Sequence, residues 1–179
     1  MERHDSPLDE AAIVNRVRAV SMSFPEAYEE AAWVGVRWRV RSRTFAHVLS
    51  IIDGKPQAHA RAVGSEGPLT VLTFRAPEDE VVAFRQMGPP FFLAGWGRDV
   101  VGVTLGNDTD WGHVGELLTE SYRVLAPKAL AARLNSRVAT TPATAHDEPS
   151  PQRDRPQPAR TRRRVREDQR SGHHRHADD

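Results

Sequence analysis

A sharp change of composition near Asn135 constrains the folding of this chain more than any other feature. Residues 1–134 contain 62 hydrophobic residues, whereas residues 135–179 contain seven, all of them Ala or Val. The second segment also holds five prolines and ten arginines. Such a segment buries too little apolar surface to offset an ordering entropy of about 1–2 kcal/mol per residue. The sequence therefore predicts one folded domain over 1–134 and a disordered Arg/Pro-rich tail over 135–179.

The chain has no cysteine. This excludes disulfides, iron–sulfur clusters, thiolate zinc sites and a cysteine nucleophile. No apolar run approaches the roughly 20 residues that span a bilayer, and the N-terminal sequence MERHDSPLDE lacks the apolar core of a signal peptide. We therefore expect a soluble, cytoplasmic protein that makes no membrane contact.

Hydrophobic periodicity and capping signals define the elements of the first 134 residues. They predict helices over 7–21, with Ser6 as N-cap, and over 77–87. They predict a third long helix, capped by Asp108 or Asp110, with a short continuation from Pro127 to about Leu134. Strands are expected over 36–40, 44–52, 69–74, 91–94 and 99–105. The order α-β(3)-α-β(2)-α indicates an α+β fold, an antiparallel sheet with helices on one face.

Four arginines at alternate positions form the most suggestive candidate site. Arg37, Arg39, Arg41 and Arg43 would share one face of a strand, with Trp38 and Val40 on the other face. Such a row can contact successive phosphates of a nucleic acid. The alternative is a solvated strand face whose arginines protect an edge or pair with acidic residues of the domain.

The net charge is +1 for the whole chain, but it is −2 for residues 1–134 and +3 for the tail. A polyanion contact must therefore come from local rows or from the tail. The candidate contacts outside the arginine row are Lys128, Arg162, Arg163 and Arg164. The last three belong to a run of five arginines within seven residues, a pattern that favours polyanion binding.

No catalytic motif is present: the chain contains no nucleophile elbow, P-loop, dinucleotide-binding glycine motif or H-E-x-x-H pair. We therefore predict a protein that is not an enzyme, with no cofactor and no metal site. His47 is expected to be a satisfied core or boundary residue. The four tryptophans are expected to build the core, with a ligand groove as the alternative. They are Trp33, Trp38, Trp96 and Trp111.

Four parts of the sequence carry a family resemblance. They are Trp33, the segment 38–46 (WRVRSRTFA), the segment 116–123 (ELLTESYR) and the segment 126–131 (APKALA). Together they resemble the MmcQ/YjbR family, small bacterial proteins often labelled DNA-binding, and the resemblance runs from about Ile13 to Leu134. It implies the α-β(3)-α-β(2)-α fold and a DNA-binding role. Arg43-Thr44 stands where relatives commonly have a lysine, and Val100 stands where they often have a tryptophan.

The first functional hypothesis is weak, non-specific DNA binding through the arginine row. The alternative is a protein-interaction module that uses its sheet face and has no nucleic-acid role. A contiguous exposed apolar patch would favour that alternative. A third hypothesis is a small-molecule binder, which requires a concave apolar pocket. The sequence leaves the oligomeric state open.

Overall fold

The computed structural model of the chain describes residues 9–139. The helices are α1 (Glu10–Ser21), α2 (Gln57–Val63), α3 (Glu78–Met87), α4 (Trp111–Leu125) and α5 (Lys128–Ala139). The strands are β1 (Tyr28–Ala31), β2 (Val36–Val40), β3 (Arg43–Ile51), β4 (Leu69–Arg75), β5 (Phe91–Leu93) and β6 (Val100–Leu105). Within residues 9–139, no helix is both long and apolar enough to cross a membrane.

The six strands form one antiparallel sheet in the order β1-β2-β3-β4-β6-β5. This confirms the α+β class and the antiparallel sheet. The structure adds two elements to the expected order, the edge strand β1 and the seven-residue helix α2. Strand β2 is therefore an interior strand, and β1 and β5 are the edges of the sheet.

The helix ends refine the expected boundaries. Helix α1 begins at Glu10 after Asp9, and the expected cap at Ser6 lies outside the described residues. Asp110 caps α4, because its side chain accepts a hydrogen bond from the backbone N–H of His113. Helix α5 continues to Ala139, beyond the expected end at Leu134. From residue 140 onward, the predicted tail lies outside the described residues.

The main core lies on the face of the sheet that α1, α3 and α4 cover. Trp38 and Val40 are completely buried there, as predicted for the apolar side of β2. Phe24, Phe45 and Tyr122 form an aromatic cluster with ring centroids 4.9–5.8 Å apart. The Tyr122 hydroxyl donates a 2.8 Å hydrogen bond to the backbone carbonyl of Pro25, so this buried polar group has a partner.

A β-bulge joins this core to the sheet. Trp38 pairs with Ala46 and Arg39 pairs with Thr44, so Phe45 is the extra residue on β3. The bulge turns the Phe45 side chain into the main core. The hydroxyl of Ser121 on α4 donates to the Phe45 carbonyl and accepts a 2.7 Å hydrogen bond from the Arg75 N–H. One buried side chain therefore holds the bulge, β4 and α4 together.

The opposite face of the sheet carries α2 and a smaller apolar cluster. Ala60 of α2 packs there against four sheet residues, Leu49, Ile51, Val71 and Phe92. One cross-strand row runs over this face through all six strands: Glu30, Arg37, His47, Thr73, Gly102 and Phe92. The first three residues of this row are polar, and the ring centroid of His47 lies 6.1 Å from that of His59 on α2.

Candidate functional site

The structure corrects the predicted row of four arginines. Strand β2 ends at Val40, and Arg41 and Ser42 form a two-residue turn with φ angles of 47° and 64°. Positive φ at both central residues is the geometry of a tight hairpin turn. Arg43 then begins β3 opposite Val40. Directly opposed residues share a face, so Arg37 and Arg39 lie on the α2 side and the other two arginines do not.

Acidic residues neutralise three of these four arginines. Glu30 accepts from Arg37 Nε at 2.7 Å and from Arg39 Nη1 at 2.9 Å, and Glu26 Oε2 lies 2.9 Å from Arg41 Nη2. The hydrogen bond from Arg37 is the largest cause of a lowered pKa of Glu30. These residues are thus ion-paired, as in the alternative interpretation, although they do not protect an edge.

The other predicted nucleic-acid contacts lie apart from this face or outside the described residues. Lys128 is exposed at the first position of α5. Arg162, Arg163 and Arg164 lie outside the described residues, and their contact with a polyanion stays a prediction.

A groove of about 730 Å³ lies on the α2 side of the sheet. We call it the Trp33 groove. Its floor is formed by Arg37, His47 and Leu49, and its walls by Trp33, Ile52, Lys55, Pro56 and His59. Its lining, which consists of described residues alone, includes no Asp or Glu. The concave apolar surface required for ligand binding is therefore present, and it carries positive charge.

Trp33 corrects the prediction that the tryptophans build the core. It lies in the β1–β2 loop and is 101% exposed, whereas Trp38 is fully buried. Trp96 is 45% exposed, and Trp111 packs at the margin of the core beneath the Arg16 guanidinium. Within the part of the chain that the structure describes, the Trp33 indole is therefore not buried by any neighbour, and it adds no apolar burial to the stability of the fold. Such a side chain is a candidate contact for a ligand.

Three rings from three elements meet at the inner end of the groove. The ring centroids of His47 on β3 and His59 on α2 are 6.1 Å apart. The ring centroids of His59 and of Trp96, in the β5–β6 turn, are 4.4 Å apart. His47 also lines an adjoining cavity of about 200 Å³ together with Thr73, Arg75 and Trp96. His47 thus lies where the two cavities meet, and His59 lines only the groove.

Hydrogen bonding fixes one imidazole and leaves the other incomplete. His47 Nε2 lies 2.8 Å from the carbonyl oxygen of Val34, so Nε2 carries the proton and donates it. This agrees with the expectation of a satisfied boundary histidine. His59 Nδ1 is buried and has no hydrogen-bond partner within residues 9–139. A buried nitrogen without a partner costs free energy, and any change that supplies a partner removes that cost.

Burial favours the neutral form of both imidazoles. Desolvation is the main cause of a lowered pKa for His47, and the charge of Arg37 lowers it further. Desolvation and the neighbouring His47 lower the pKa of His59 to about 4. Within residues 9–139, no group of three or more metal-binding side chains forms a metal site. The groove therefore offers apolar surface, two cations and two neutral imidazoles.

Sequence reasoning did not assign the groove to particular residues. It named Trp33 only as one of four tryptophans, and it expected neither β1 nor the helix α2 that carries His59. The detectable signal was the cluster Lys55-Pro56 with His59 after a strand end. That cluster indicates a turn and gives no tertiary position.

Comparison with known proteins bears on the fold and the family. The model of the YjbR family matches residues 22–124. A crystal structure of a protein from Pseudomonas syringae, a structural genomics target, superposes with a TM-score of 0.50 at 12% identity. The match covers 66% of this chain and 100% of that one, and it supports the fold alone. No curated protein gives a significant sequence match. The family match covers more than half of the chain, which therefore belongs to the YjbR family.

Proposed function

We propose that this chain is a non-enzymatic protein that binds single-stranded nucleic acid weakly in the Trp33 groove. The observation that carries the proposal is a fully exposed indole beside two cations, Arg37 and Lys55, in a groove whose described lining residues include no carboxylate. Proteins that bind single strands without sequence preference stack bases on aromatic side chains and track the phosphates with cations. The MmcQ/YjbR resemblance implies a DNA-binding role, and this proposal assigns that role to the groove in place of the arginine row.

The geometry favours a single strand over a duplex. A base can stack on Trp33 only when its own ring face is free, and in a duplex the neighbouring bases cover that face. The straight arginine row that would have followed a duplex backbone is absent, because Arg41 lies in a turn and pairs with Glu26. The groove instead offers one stacking surface with cations beside it.

The expected affinity is low and depends strongly on salt. Residues 1–134 carry a net charge of −2, so the domain as a whole does not attract a polyanion. Glu30 also neutralises part of the charge on Arg37. Within residues 9–139, Lys55 forms no ion pair and is the more available cation. Affinity must therefore come from a few local contacts.

The test is fluorescence anisotropy with labelled oligo(dT) and with a duplex of equal length, from about 50 to 200 mM salt. We expect tighter binding to the single strand, and we expect W33A and K55Q each to weaken it. The matched control is the double variant R41Q/R43Q, which removes more charge from the hairpin turn and leaves the groove unchanged. Absence of binding at the lowest salt, or a larger loss in the turn variant than in K55Q, contradicts the proposal.

A protein partner is the second candidate. Trp33 and Ile52, which is 57% exposed, flank the same groove and form the exposed apolar surface that a protein-interaction module requires. This candidate predicts that oligonucleotides do not bind even at the lowest salt. The anisotropy measurement therefore separates the two candidates.

A further inference from the structure

His47 and His59 lie side by side at the inner end of the Trp33 groove, and among the described residues only His47 of the two has a hydrogen-bond partner. We infer that His47 and His59 form an anion subsite that takes up a proton when a phosphate group binds. This inference rests on the proposed function, because it concerns the ligand of the same groove. It names the phosphodiester as the recognised group and the protonation of an imidazole as the means of recognition.

The first support is the position of the rings. His47 and His59 approach to 6.1 Å between centroids and both line the groove. One phosphate, whose oxygens project in several directions, can contact both rings at that separation. The ring of Trp96 packs against His59 with the centroids 4.4 Å apart, so it limits the space on that side of the His59 ring.

The second support is the hydrogen-bonding capacity that remains. His47 already donates from Nε2 to the Val34 carbonyl, so its Nδ1 can gain a proton without breaking that bond. His59 Nδ1 is buried, and no atom of the described residues 9–139 hydrogen-bonds to it. When protonated, either ring becomes a donor at both nitrogens and can bond an anionic oxygen.

The third support is the charge around the pair. The neighbours of His47 across the sheet are Arg37 and Thr73, and Lys55 lines the same groove. The nearby carboxylates are already engaged, Glu30 by Arg37 and Asp99 by Arg75. The groove therefore has an excess of positive charge, and burial, with the charge of Arg37 as a further cause at His47, keeps the imidazoles neutral. A bound phosphate reverses that balance and stabilises an imidazolium.

Binding and protonation are then thermodynamically linked. If the ligand favours the protonated ring, lower pH must favour the ligand by the same factor. Uptake of one proton gives a gain of up to about tenfold in affinity per pH unit. Glu30 does not interfere, because the hydrogen bonds from Arg37 and Arg39 lower its pKa and it stays ionised in this range.

The experiment measures the affinity for oligo(dT) between about pH 7.5 and 5.5 at constant salt, with the fold checked by circular dichroism at each pH. Thymine does not titrate in this range, so a pH dependence comes from the protein. We expect binding to tighten at least threefold as the pH falls, and we expect the double variant H47Q/H59Q to bind without this dependence. The matched control is H113Q on α4, whose imidazole lies outside the groove beside Glu116 and which should keep the full dependence.

Calorimetry in two buffers of different ionisation enthalpy measures the proton uptake directly. Binding that is equally tight at both pH limits, or a dependence that survives in H47Q/H59Q, overturns the inference while leaving the proposed function intact. No binding at any pH overturns both. The two failures are therefore distinguishable.

Discussion

Glu30 Oε2 lies 2.7 Å from Arg37 Nε, and the two residues are direct partners across β1 and β2. The same carboxylate oxygen also accepts a hydrogen bond from Arg39. One acidic residue on an edge strand thus offsets part of the positive charge of both arginines.

Removing that carboxylate should strengthen nucleic-acid binding. In E30Q both guanidinium groups lose their ion pair and become available to phosphates. We expect a gain of up to about fivefold in affinity, and a salt dependence steeper by about 0.7 per additional phosphate contact. Anisotropy titrations against salt measure both quantities. E116Q makes the same charge change at an exposed position of α4 and should leave both unchanged.

Acidification should destabilise the free domain through His59. The pKa of this residue is about 4 in the folded state, below the ordinary value of 6.5. Between these values the unfolded chain binds more protons than the folded one, so the free energy of unfolding falls as the pH falls from 6.5 towards 4. Urea denaturation at several pH values measures this trend. H59Q should flatten it, and an unchanged trend in H59Q would contradict the assignment.

The Ser121 hydroxyl should contribute more to stability than its size suggests. Replacement by alanine removes the partner of both the Phe45 carbonyl and the Arg75 N–H. We expect S121A to lower the free energy of unfolding by about 1–3 kcal/mol. T119A is the control on the same helix. Its hydroxyl bonds only a carbonyl of its own helix, and its loss should cost within about 0.5 kcal/mol.

Gly102 should not tolerate a side chain. A Cβ atom there would lie 2.1 Å from Cζ of Phe92, the residue directly opposite on β5. G102A should therefore lower the free energy of unfolding by about 1–3 kcal/mol through overpacking. G115A on α4 meets no atom within 4 Å and should raise the same quantity by about 0.5–1 kcal/mol. Equal effects of the two substitutions in thermal or urea denaturation would contradict this packing.

Most of the fold could be predicted because its signals are local. Helix α4 carries a strong apolar periodicity, and helix α3 has an acidic first turn between Pro77 and Gly88. The ends of both helices and of strand β2 agree with the expected ones within a few residues. Strand β1 was missed because its central residues, Glu29 and Glu30, are acidic and its length is four residues. Both carboxylates are stabilised by arginines that only the tertiary structure brings close. Helix α2 has seven residues, which are too few to show the hydrophobic periodicity of a helix.

The site was predictable only in part, because it depends on these two missed elements. The prediction that four arginines share one strand face is wrong at Arg41-Ser42, where the chain turns. The turn was not recognised because this dipeptide lacks the Asn-Gly or Asp-Gly signature of a two-residue turn. The expected strand ended at residue 40, but the alternation of arginines was extended past that end to Arg43. Trp33 was assigned to the core because large aromatics usually lie there, and only the β1–β2 pairing shows that it occupies a loop.

Chemical-shift mapping of a nucleic-acid complex tests the central claim most directly. The chain is labelled with ¹⁵N and titrated with oligo(dT) at low salt, and the indole and imidazole resonances are followed. We predict that the largest changes occur at Trp33, His47 and His59, with small changes at Arg41, Arg43 and Lys128. Changes concentrated at those last three residues, or no changes within residues 9–139, would contradict the assignment of the groove as the binding site.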